Sequence, residues 1–239
     1  MSNLNTSVSQ KTFYTKAYLY FTLALIVMII GFFPSYFGKL EETNGKNHFH
    51  GITATLWMLL LIIQPLLYRI GKMQWHRRIG RVSFILVPLV VLSGFNMVHT
   101  MLNSGKYPPN IPYQIAFIDF ILLPAFSIFY LLAIYNRKQI EYHARYMVCT
   151  VMLPLIAGLL RLGFRFSFIN SFSKALNFSF ILIEIILLLL VFDDKRLGKI
   201  RPPYIIALLL YFAVHLLMNY SYQWRWWCSL MDAYANFYL

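Results

Sequence analysis

The sequence predicts an all-α integral membrane protein, folded as a single bundle of seven transmembrane helices. Of its 239 residues, 59% are apolar and only 12% are charged, whereas soluble domains average roughly 45–50% apolar and about 25% charged residues. The apolar residues also fall into seven runs of about 20 residues each, the length that crosses a bilayer as a helix. One bundle covering residues 1–239 leaves no room for a second, soluble domain.

The seven runs predict the seven spans. They cover about 15–37, 49–70, 82–102, 112–135, 144–163, 174–192 and 203–222. Prolines within them, at positions 65, 88, 124 and 154, are tolerated in lipid-buried helices and often kink them. The first twelve residues are polar and precede no cleavage pattern, so we expect no signal peptide.

Basic residues predict the orientation and the partners. The net charge is +13, and twelve Lys and Arg residues lie in the second, fourth and sixth connections, against nine spread over the rest. The positive-inside rule then favours cytoplasmic even-numbered connections in a cell inner membrane, and we expect both the N-terminus and the C-terminus outside. Basic residues at helix ends meet anionic headgroups, so we expect a lipid partner and no nucleic acid. The two cysteines form no disulfide framework.

The tail after the last run, QWRWWCSLMDAYANFYL, is rich in aromatic residues. Trp and Tyr prefer the membrane interface, which predicts a short interfacial segment on the outer face. The alternative is a cap over an outer cavity.

Ionisable side chains within the runs are the candidates for function, because they are costly in lipid and usually face the bundle interior. They come from six different runs, and the predicted topology places all of them near the midplane or in the outer half: His50, His99, Asp119, Arg161, Glu184 and His215. His50, Trp57 and Gln64 are spaced seven residues apart, so they line one helix face. We therefore predict that these groups converge.

Three imidazoles with an open position suit zinc, copper or iron, so His50, His99 and His215 are predicted metal ligands. Two of them on facing helices would instead be axial ligands of a b-type haem, with Arg161 pairing a propionate. Each histidine also has a plain alternative, an interhelical hydrogen bond. Asp119 and Glu184 are candidates for catalysis or proton relay, or simply for ion pairs with Arg161 or His215.

His48 is a further candidate ligand, but residues two apart point in nearly opposite directions on a helix. Asn47 is the predicted N-cap of the second helix, in which case only His50 faces the interior. If the segment is extended instead, both histidines reach one ion.

His76 and His143 lie among arginines in the second and fourth connections. The plain interpretation is headgroup binding. The functional alternative is an inner site for a quinone, a lipid phosphate or a second haem.

Thirteen positions resemble a pattern in a group of uncharacterised bacterial multi-span membrane proteins. The pattern reads H-x-H-G, W, Q, H-R-R-x-G, H-x-R-x-M and R, and the matching residues here are His48, His50, Gly51, Trp57, Gln64, His76, Arg77, Arg78, Gly80, His143, Arg145, Met147 and Arg161. The resemblance implies a bacterial membrane family built around these positions and implies no activity. A looser likeness links the chain to helical-bundle b-type cytochromes, and it implies one outer haem.

Three functions follow as hypotheses. The first is electron transfer through a histidine-built metal or haem site near the outer face, with a quinone or a membrane-complex subunit as partner. The second is an intramembrane zinc hydrolase in which Asp119 or Glu184 activates zinc-bound water. The third is a non-enzymatic carrier of an ion or lipid, or an assembly subunit. Whether the protein is an enzyme stays open at this stage, since no nucleotide, zinc-protease or hydrolase motif is present in the sequence.

Overall fold

The protein is all-helical over the residues that the computed structural model describes, 2–237, with side chains described from residue 16. The α-helices are α1 (Ser2–Phe32), α2 (Gly45–Arg69), α3 (Met73–Gly80), α4 (Ser83–Leu102), α5 (Asn110–Tyr135), α6 (Ile140–Cys149), α7 (Met152–Gly163), α8 (Phe172–Arg196), α9 (Pro202–Ser221) and α10 (Arg225–Ala235). No strand occurs within this part of the chain. The predicted fold class is therefore confirmed, as a multi-pass helical membrane protein.

Six helical stretches are long and apolar enough to cross a bilayer. They are Gly45–Arg69, Met73–Leu102, Asn110–Tyr135, Ile140–Gly163, Phe172–Arg196 and Pro202–Ser221. The predicted first span corresponds to a shorter apolar helix, Lys16–Phe32, within α1. At about 1.5 Å per residue, this segment is close to the hydrocarbon thickness but below the usual length of a span.

Local sequence explains where several helices begin and break. The Asn44 side chain accepts a hydrogen bond from the Asn47 backbone N–H at 2.9 Å, so Asn44 caps α2 and the prediction of Asn47 as the cap was wrong. Ser171 caps α8 in the same way. Pro154 removes the backbone donor that would bond to Thr150, and the fifth predicted span is split there into α6 and α7. The other three prolines lie inside unbroken helices.

The helices form a closed bundle. Neighbours pack in the cyclic order α1, α2, α4, α5, α9, α8, α7 and back to α1, while α6 packs on α5 and α9. The α5 helix and the α6–α7 pair are the most buried of the spans. We call the end with connections 33–44, 103–109 and 164–171 the odd-loop end, and the end with connections 70–82, 136–139 and 197–201 the even-loop end.

The α1 helix belongs to the bundle, although it is short. Its Gly31 faces Gly158 of α7, and a Cβ atom on Gly158 would lie 3.0 Å from the Cα atom of Met28. Small residues at such crossings let two helix backbones approach closely, which is typical of membrane bundles.

The position of α1 bears on the predicted placement of the N-terminus. The Arg69 guanidinium donates a hydrogen bond to the Tyr18 hydroxyl, so the start of the apolar part of α1 lies at the even-loop end, beside the end of α2. A chain that crosses a membrane seven times must also end on opposite sides. Two outer termini are therefore incompatible with seven spans and cytoplasmic even-numbered connections.

A buried ionic network fixes the even-loop end. The Arg145 Nε atom donates to both carboxylate oxygens of Asp194 at 2.9 Å, and these side chains are 1% and 2% exposed. The Arg201 guanidinium pairs with Glu141, and its backbone N–H donates to Asp194 at 3.3 Å. The network joins α6, α8 and the start of α9.

The aromatic tail forms α10, which lies across α4 and α5 at the odd-loop end. Trp227 and Met231 are buried there. The Trp227 Nε1 atom donates to the Tyr113 carbonyl at 3.0 Å, and the Tyr234 hydroxyl donates to the Phe95 carbonyl at 2.9 Å. The tail is thus an ordered helix packed on the bundle end.

Candidate functional site

The first candidate site centres on His50, which points into the bundle from α2. Its Nδ1 atom lies 3.0 Å from the Ser93 hydroxyl of α4. The same hydroxyl donates to the Val90 carbonyl at 2.9 Å and lies 3.2 Å from the Thr53 hydroxyl. Three polar side chains therefore meet between α2 and α4, as the predicted interior face of α2 requires.

Asp119 and Arg161 complete this site from α5 and α7. Asp119 lies nine residues after the start of α5, about 14 Å along the helix. The Arg161 guanidinium lies 4.0 Å from the centre of the Phe32 ring and donates to the Ala157 carbonyl at 3.0 Å. It is close enough for electrostatic interaction with both His50 and Asp119. We call His50, Asp119 and Arg161 the odd-end triad.

No salt bridge joins Asp119 to Arg161, and across residues 16–237 the Asp119 carboxylate makes no hydrogen bond to a side chain or backbone group. Both side chains are half-buried. A charged pair in lipid normally closes into a hydrogen-bonded contact, because each ion loses solvation. Two opposite charges within the bundle that make no direct contact are therefore a candidate functional site.

Two amides on the adjoining helices add unused hydrogen-bonding capacity. The Oδ1 atom of Asn96, one turn beyond Ser93, and the Oε1 atom of Gln114 of α5 are buried without a hydrogen-bond partner. Buried polar atoms are nearly always satisfied, so these two oxygens call for a partner beyond the described residues, such as a water molecule or a ligand.

Tyr107 lies in the connection 103–109 at the odd-loop end and interacts electrostatically with Arg161. It also lines a cavity of about 220 Å³ together with Tyr113 and Asp232. The Tyr113 hydroxyl donates to Asp232 of α10 at 2.8 Å. Three polar side chains therefore border this cavity at the odd-loop end.

Glu184 and His215 form a second, separate polar site between α8 and α9. The His215 Nδ1 atom lies 2.7 Å from Glu184 Oε1, and its Nε2 atom lies 2.9 Å from Asn177 Oδ1. The Asn177 amide nitrogen donates to the Ser173 carbonyl at 2.7 Å, which fixes the orientation of that amide. Both imidazole nitrogens are therefore occupied by hydrogen bonds, and the pairing of Glu184 with His215 anticipated from the sequence is present.

His99 and His48 contact other partners at the odd-loop end. The His99 Nε2 atom lies 2.9 Å from the Phe237 carbonyl, and its ring packs on Tyr234. His48 contacts the Tyr36 hydroxyl and the Leu40 carbonyl in the first connection. His48 thus faces away from His50, as expected once the helix has begun.

The structure does not bring the predicted outer ligands together. His50 faces Ser93 and Arg161, His99 faces the C-terminal segment, and His215 faces Glu184. Among the described side chains, no group of three or more His, Cys, Asp or Glu residues has a geometry that could hold a metal ion. Neither the three-histidine zinc site nor an outer haem gains support from this arrangement.

Of the predicted cofactor residues, Gln64, His76 and His143 lie towards the even-loop end, and Trp57 lies in the middle of α2. Trp57 is 1% exposed and packs edge-on against Phe126 and Tyr130. The His76 Nδ1 atom lies 3.2 Å from the Gln64 carbonyl. The His143 Nδ1 atom lies 2.8 Å from the Ala133 carbonyl.

Sequence reasoning missed Asp194, Glu141 and Ser93. The positive-inside argument treats Arg145 only as a charge of the fourth connection, whereas it is buried against Asp194. A signal for this pair exists in the sequence: Glu141 and Asp194 lie at the even-loop ends of apolar runs, in a chain with only 8 acidic residues. Ser93 has no such signal, because a serine in a membrane helix is common.

No family model, curated protein or solved structure matches this chain. The resemblance to bacterial multi-span membrane proteins therefore stays a prediction.

Proposed function

We propose that this protein is a proton-coupled carrier of a small anion, and that the odd-end triad is its binding site. The observation that supports the proposal is the open pair, in which Asp119 and Arg161 interact electrostatically without a salt bridge. This is the third function expected from the sequence, a carrier without enzymatic activity.

Proton binding and anion binding are coupled because Asp119 and the anion compete for Arg161. An ionised Asp119 and an anionic ligand both gain from the guanidinium, and they repel each other. When Asp119 takes up a proton, Arg161 keeps an uncompensated charge in a poorly solvated place, and binding of an anion relieves that cost. Proton and anion therefore favour each other's binding, by the reciprocity that holds between any two linked ligands.

His50 and the amides of Asn96 and Gln114 give the site its selectivity. An oxyanion accepts bidentate hydrogen bonds from a guanidinium. The orphaned amide oxygens are acceptors, so they would take hydrogen bonds from a hydroxyl group of the ligand. A small hydroxycarboxylate or a protonated phosphate is the ligand class that uses all of these groups.

For the membrane arrangement we propose seven spans, with α1 as the first. The even-loop end then faces the cytoplasm of a bacterial inner membrane, because it carries most of the Lys and Arg residues. The N-terminus is cytoplasmic and the C-terminus is outside. The triad lies in the outer half of the bilayer.

Anion binding is tested by thermal unfolding of the purified protein in detergent. Chloride, phosphate, lactate and succinate are each added at pH values below and above neutrality. We expect at least one anion to raise the unfolding midpoint, and more so at acidic pH. A ligand at 100 times its Kd stabilises the folded state by about 2.7 kcal/mol.

Variants then separate the roles of the two residues. Arg161→Gln should abolish the rise in the unfolding midpoint that the anion causes. Asp119→Asn should keep this rise but remove its pH dependence. Arg165→Gln is the matched control, since this exposed arginine at the same end bonds, among the described residues, only to the Ile30 carbonyl. No shift with any of the four anions, or equal shifts in wild type and Arg161→Gln, would overturn the site.

Transport is tested in proteoliposomes that contain a pH-sensitive dye. Uptake of the binding anion should acidify the interior, and Asp119→Asn should exchange the anion without moving protons. Binding without any anion flux would overturn the carrier and leave a binding protein.

A further inference from the structure

We propose that Glu184 and His215 form a proton-binding site inside the membrane, and that the bound proton stabilises the packing of α8 on α9. The hydrogen bonds around His215 require one proton more than a neutral imidazole and an ionised carboxylate supply together. The site lies on other helices than the odd-end triad and does not depend on the carrier proposal.

The His215 ring lies between two oxygen atoms. Its Nδ1 atom is 2.7 Å from Glu184 Oε1, and its Nε2 atom is 2.9 Å from Asn177 Oδ1. The orientation of the Asn177 amide is fixed, because its nitrogen donates to the Ser173 carbonyl at 2.7 Å and its oxygen accepts from the Asn219 amide at 3.3 Å. Asn219 is oriented in turn by donating to the His215 carbonyl at 2.9 Å. Nε2 of His215 therefore carries a proton and donates to Asn177.

That bond uses the single N–H group of a neutral imidazole. A second proton must then lie between Nδ1 and Glu184 Oε1, because two lone pairs would repel each other at 2.7 Å. The pair is thus either an imidazolium with a carboxylate or a neutral imidazole with a carboxylic acid. In both forms its net charge is zero, which is the least costly state in a bilayer.

The pair lies deep in the bundle, next to a face that meets lipid. Glu184 is 12 residues after Phe172, the first residue of α8, or about 18 Å along the helix. The side chains of Glu184 and His215 are 14% and 13% exposed. Ile181 and Leu188, one turn to either side of Glu184, are exposed apolar residues. Loss of the proton would therefore leave a net negative charge in poorly solvated surroundings.

The pair meets no further charge on its own two helices. The other charged residues of α8, Lys174 and residues 193–196, lie in its first and last turns. The α9 helix contains no Asp, Glu, Lys or Arg. Tyr211, one turn before His215, packs on the Phe180 ring, on which His215 also stacks with 5.1 Å between the ring centres.

The helices packed on α8 and α9 are α5, α6 and α7, and their ionisable groups have other partners. Asp119 of α5 and Arg161 of α7 interact electrostatically with each other. The α6 helix meets α9 near its even-loop end, where the Cys149 thiol donates to the Pro203 carbonyl at 3.6 Å. The charge balance of the site therefore depends on the pair itself.

Release of the proton removes one bond between the two helices. The proton leaves to water, and the imidazole keeps one N–H group for two acceptors. Either the bond to Glu184 or the bond to Asn177 must then break, and both join α9 to α8. The stabilisation is therefore present while the proton is bound and is lost as the pH rises through its release.

Occupancy of the site is tested by ¹⁵N NMR of protein labelled in its histidine rings and by infrared spectroscopy, in detergent near neutral pH. We expect either a doubly protonated His215 ring or a protonated Glu184 carboxyl, identified by its loss in His215→Gln and in Glu184→Gln. His48→Gln is the matched control and should change neither signal, because His48 contacts groups of the first connection. A singly protonated His215 ring beside an ionised Glu184 would overturn the site.

The effect of the proton on helix packing is tested by thermal unfolding at different pH values. Glu184→Gln keeps both bonds without the extra proton, because the new amide nitrogen can donate to Nδ1 while Nε2 still donates to Asn177. From about pH 5 to 8, the range in which histidine changes charge, the wild-type midpoint should fall relative to that of Glu184→Gln. The expected fall is roughly 2–4 °C, the effect of losing one hydrogen bond in a chain of this size.

Asp193→Asn is the matched control, because Asp193 is a partly accessible acid in the last turn of the same helix. Its midpoint should follow the wild-type pH profile. Parallel profiles for wild type and Glu184→Gln would overturn the stabilising role of the proton. The rise in midpoint that an anion causes at the triad should be unchanged in Glu184→Gln, so the two proposals fail independently.

Discussion

At the residue scale, the neighbour of each polar side chain decides its role. His48 and His50 are two residues apart, yet His48 contacts the first connection and His50 contacts Ser93 inside the bundle. Helix periodicity predicted this divergence once α2 was assumed to have begun. It did not predict that His99 would face the C-terminal segment.

The largest effect of a single substitution is expected at Asp194. Asp194→Asn leaves the Arg145 charge buried without its counter-ion, and breaking a buried pair in this way costs about 3–5 kcal/mol. Thermal unfolding in detergent should show a much lower midpoint than wild type.

Asp193→Asn is the control for this prediction, because Asp193 is the adjacent aspartate and is partly accessible. Its effect should be small. Equal midpoints for the two variants would contradict the network described at the even-loop end.

At the scale of the helices, small residues and a proline shape the bundle. Pro154 divides one predicted span into α6 and α7, whereas the prolines of α2, α4 and α5 leave those helices continuous. The sequence placed the prolines but did not tell which would interrupt a helix, because neighbouring groups in a bundle can satisfy the freed carbonyls.

Because α1 and α7 pack closely at Gly158, a larger side chain at this position should destabilise the folded protein. A leucine there would collide with the backbone of Met28, and overpacking of this kind costs about 1–3 kcal/mol. Gly158→Leu should therefore lower the unfolding midpoint in detergent. Gly45→Leu is the control, because no atom lies within 4 Å of a Cβ at that position.

The docking of α10 depends on one of its adjacent tryptophans. Trp227 is 5% exposed, whereas Trp226 is 63% exposed. Trp227→Ala should loosen α10 and raise its hydrogen–deuterium exchange, because it removes both buried area and the bond to the Tyr113 carbonyl. Similar exchange in Trp226→Ala would contradict docking through Trp227.

At the scale of the whole molecule, the proposed topology predicts which sites a membrane-impermeant thiol reagent reaches in intact cells. Single cysteines replacing Lys72, Lys138 and Lys199 should be protected, and one replacing Ser104 should react. A cysteine at Ser2 distinguishes seven spans from six. This cysteine should be protected if α1 crosses the membrane. If it reacts while the cysteines at positions 72, 138 and 199 are protected, α1 does not cross the membrane and the protein has six spans.

The sequence by itself determined that this is an all-helical, multi-pass membrane protein, and it marked the polar residues that the bilayer makes costly. Composition and periodicity are local properties of the sequence, so they can be used without knowing how the helices pack. Only the tertiary structure decided which polar groups meet. It separated His50, His99 and His215, buried Arg145 against Asp194, and left Asp119 and Arg161 within reach but unjoined. The physical reason is that helix phase gives a direction but not a partner, because partners depend on how helices far apart in sequence cross.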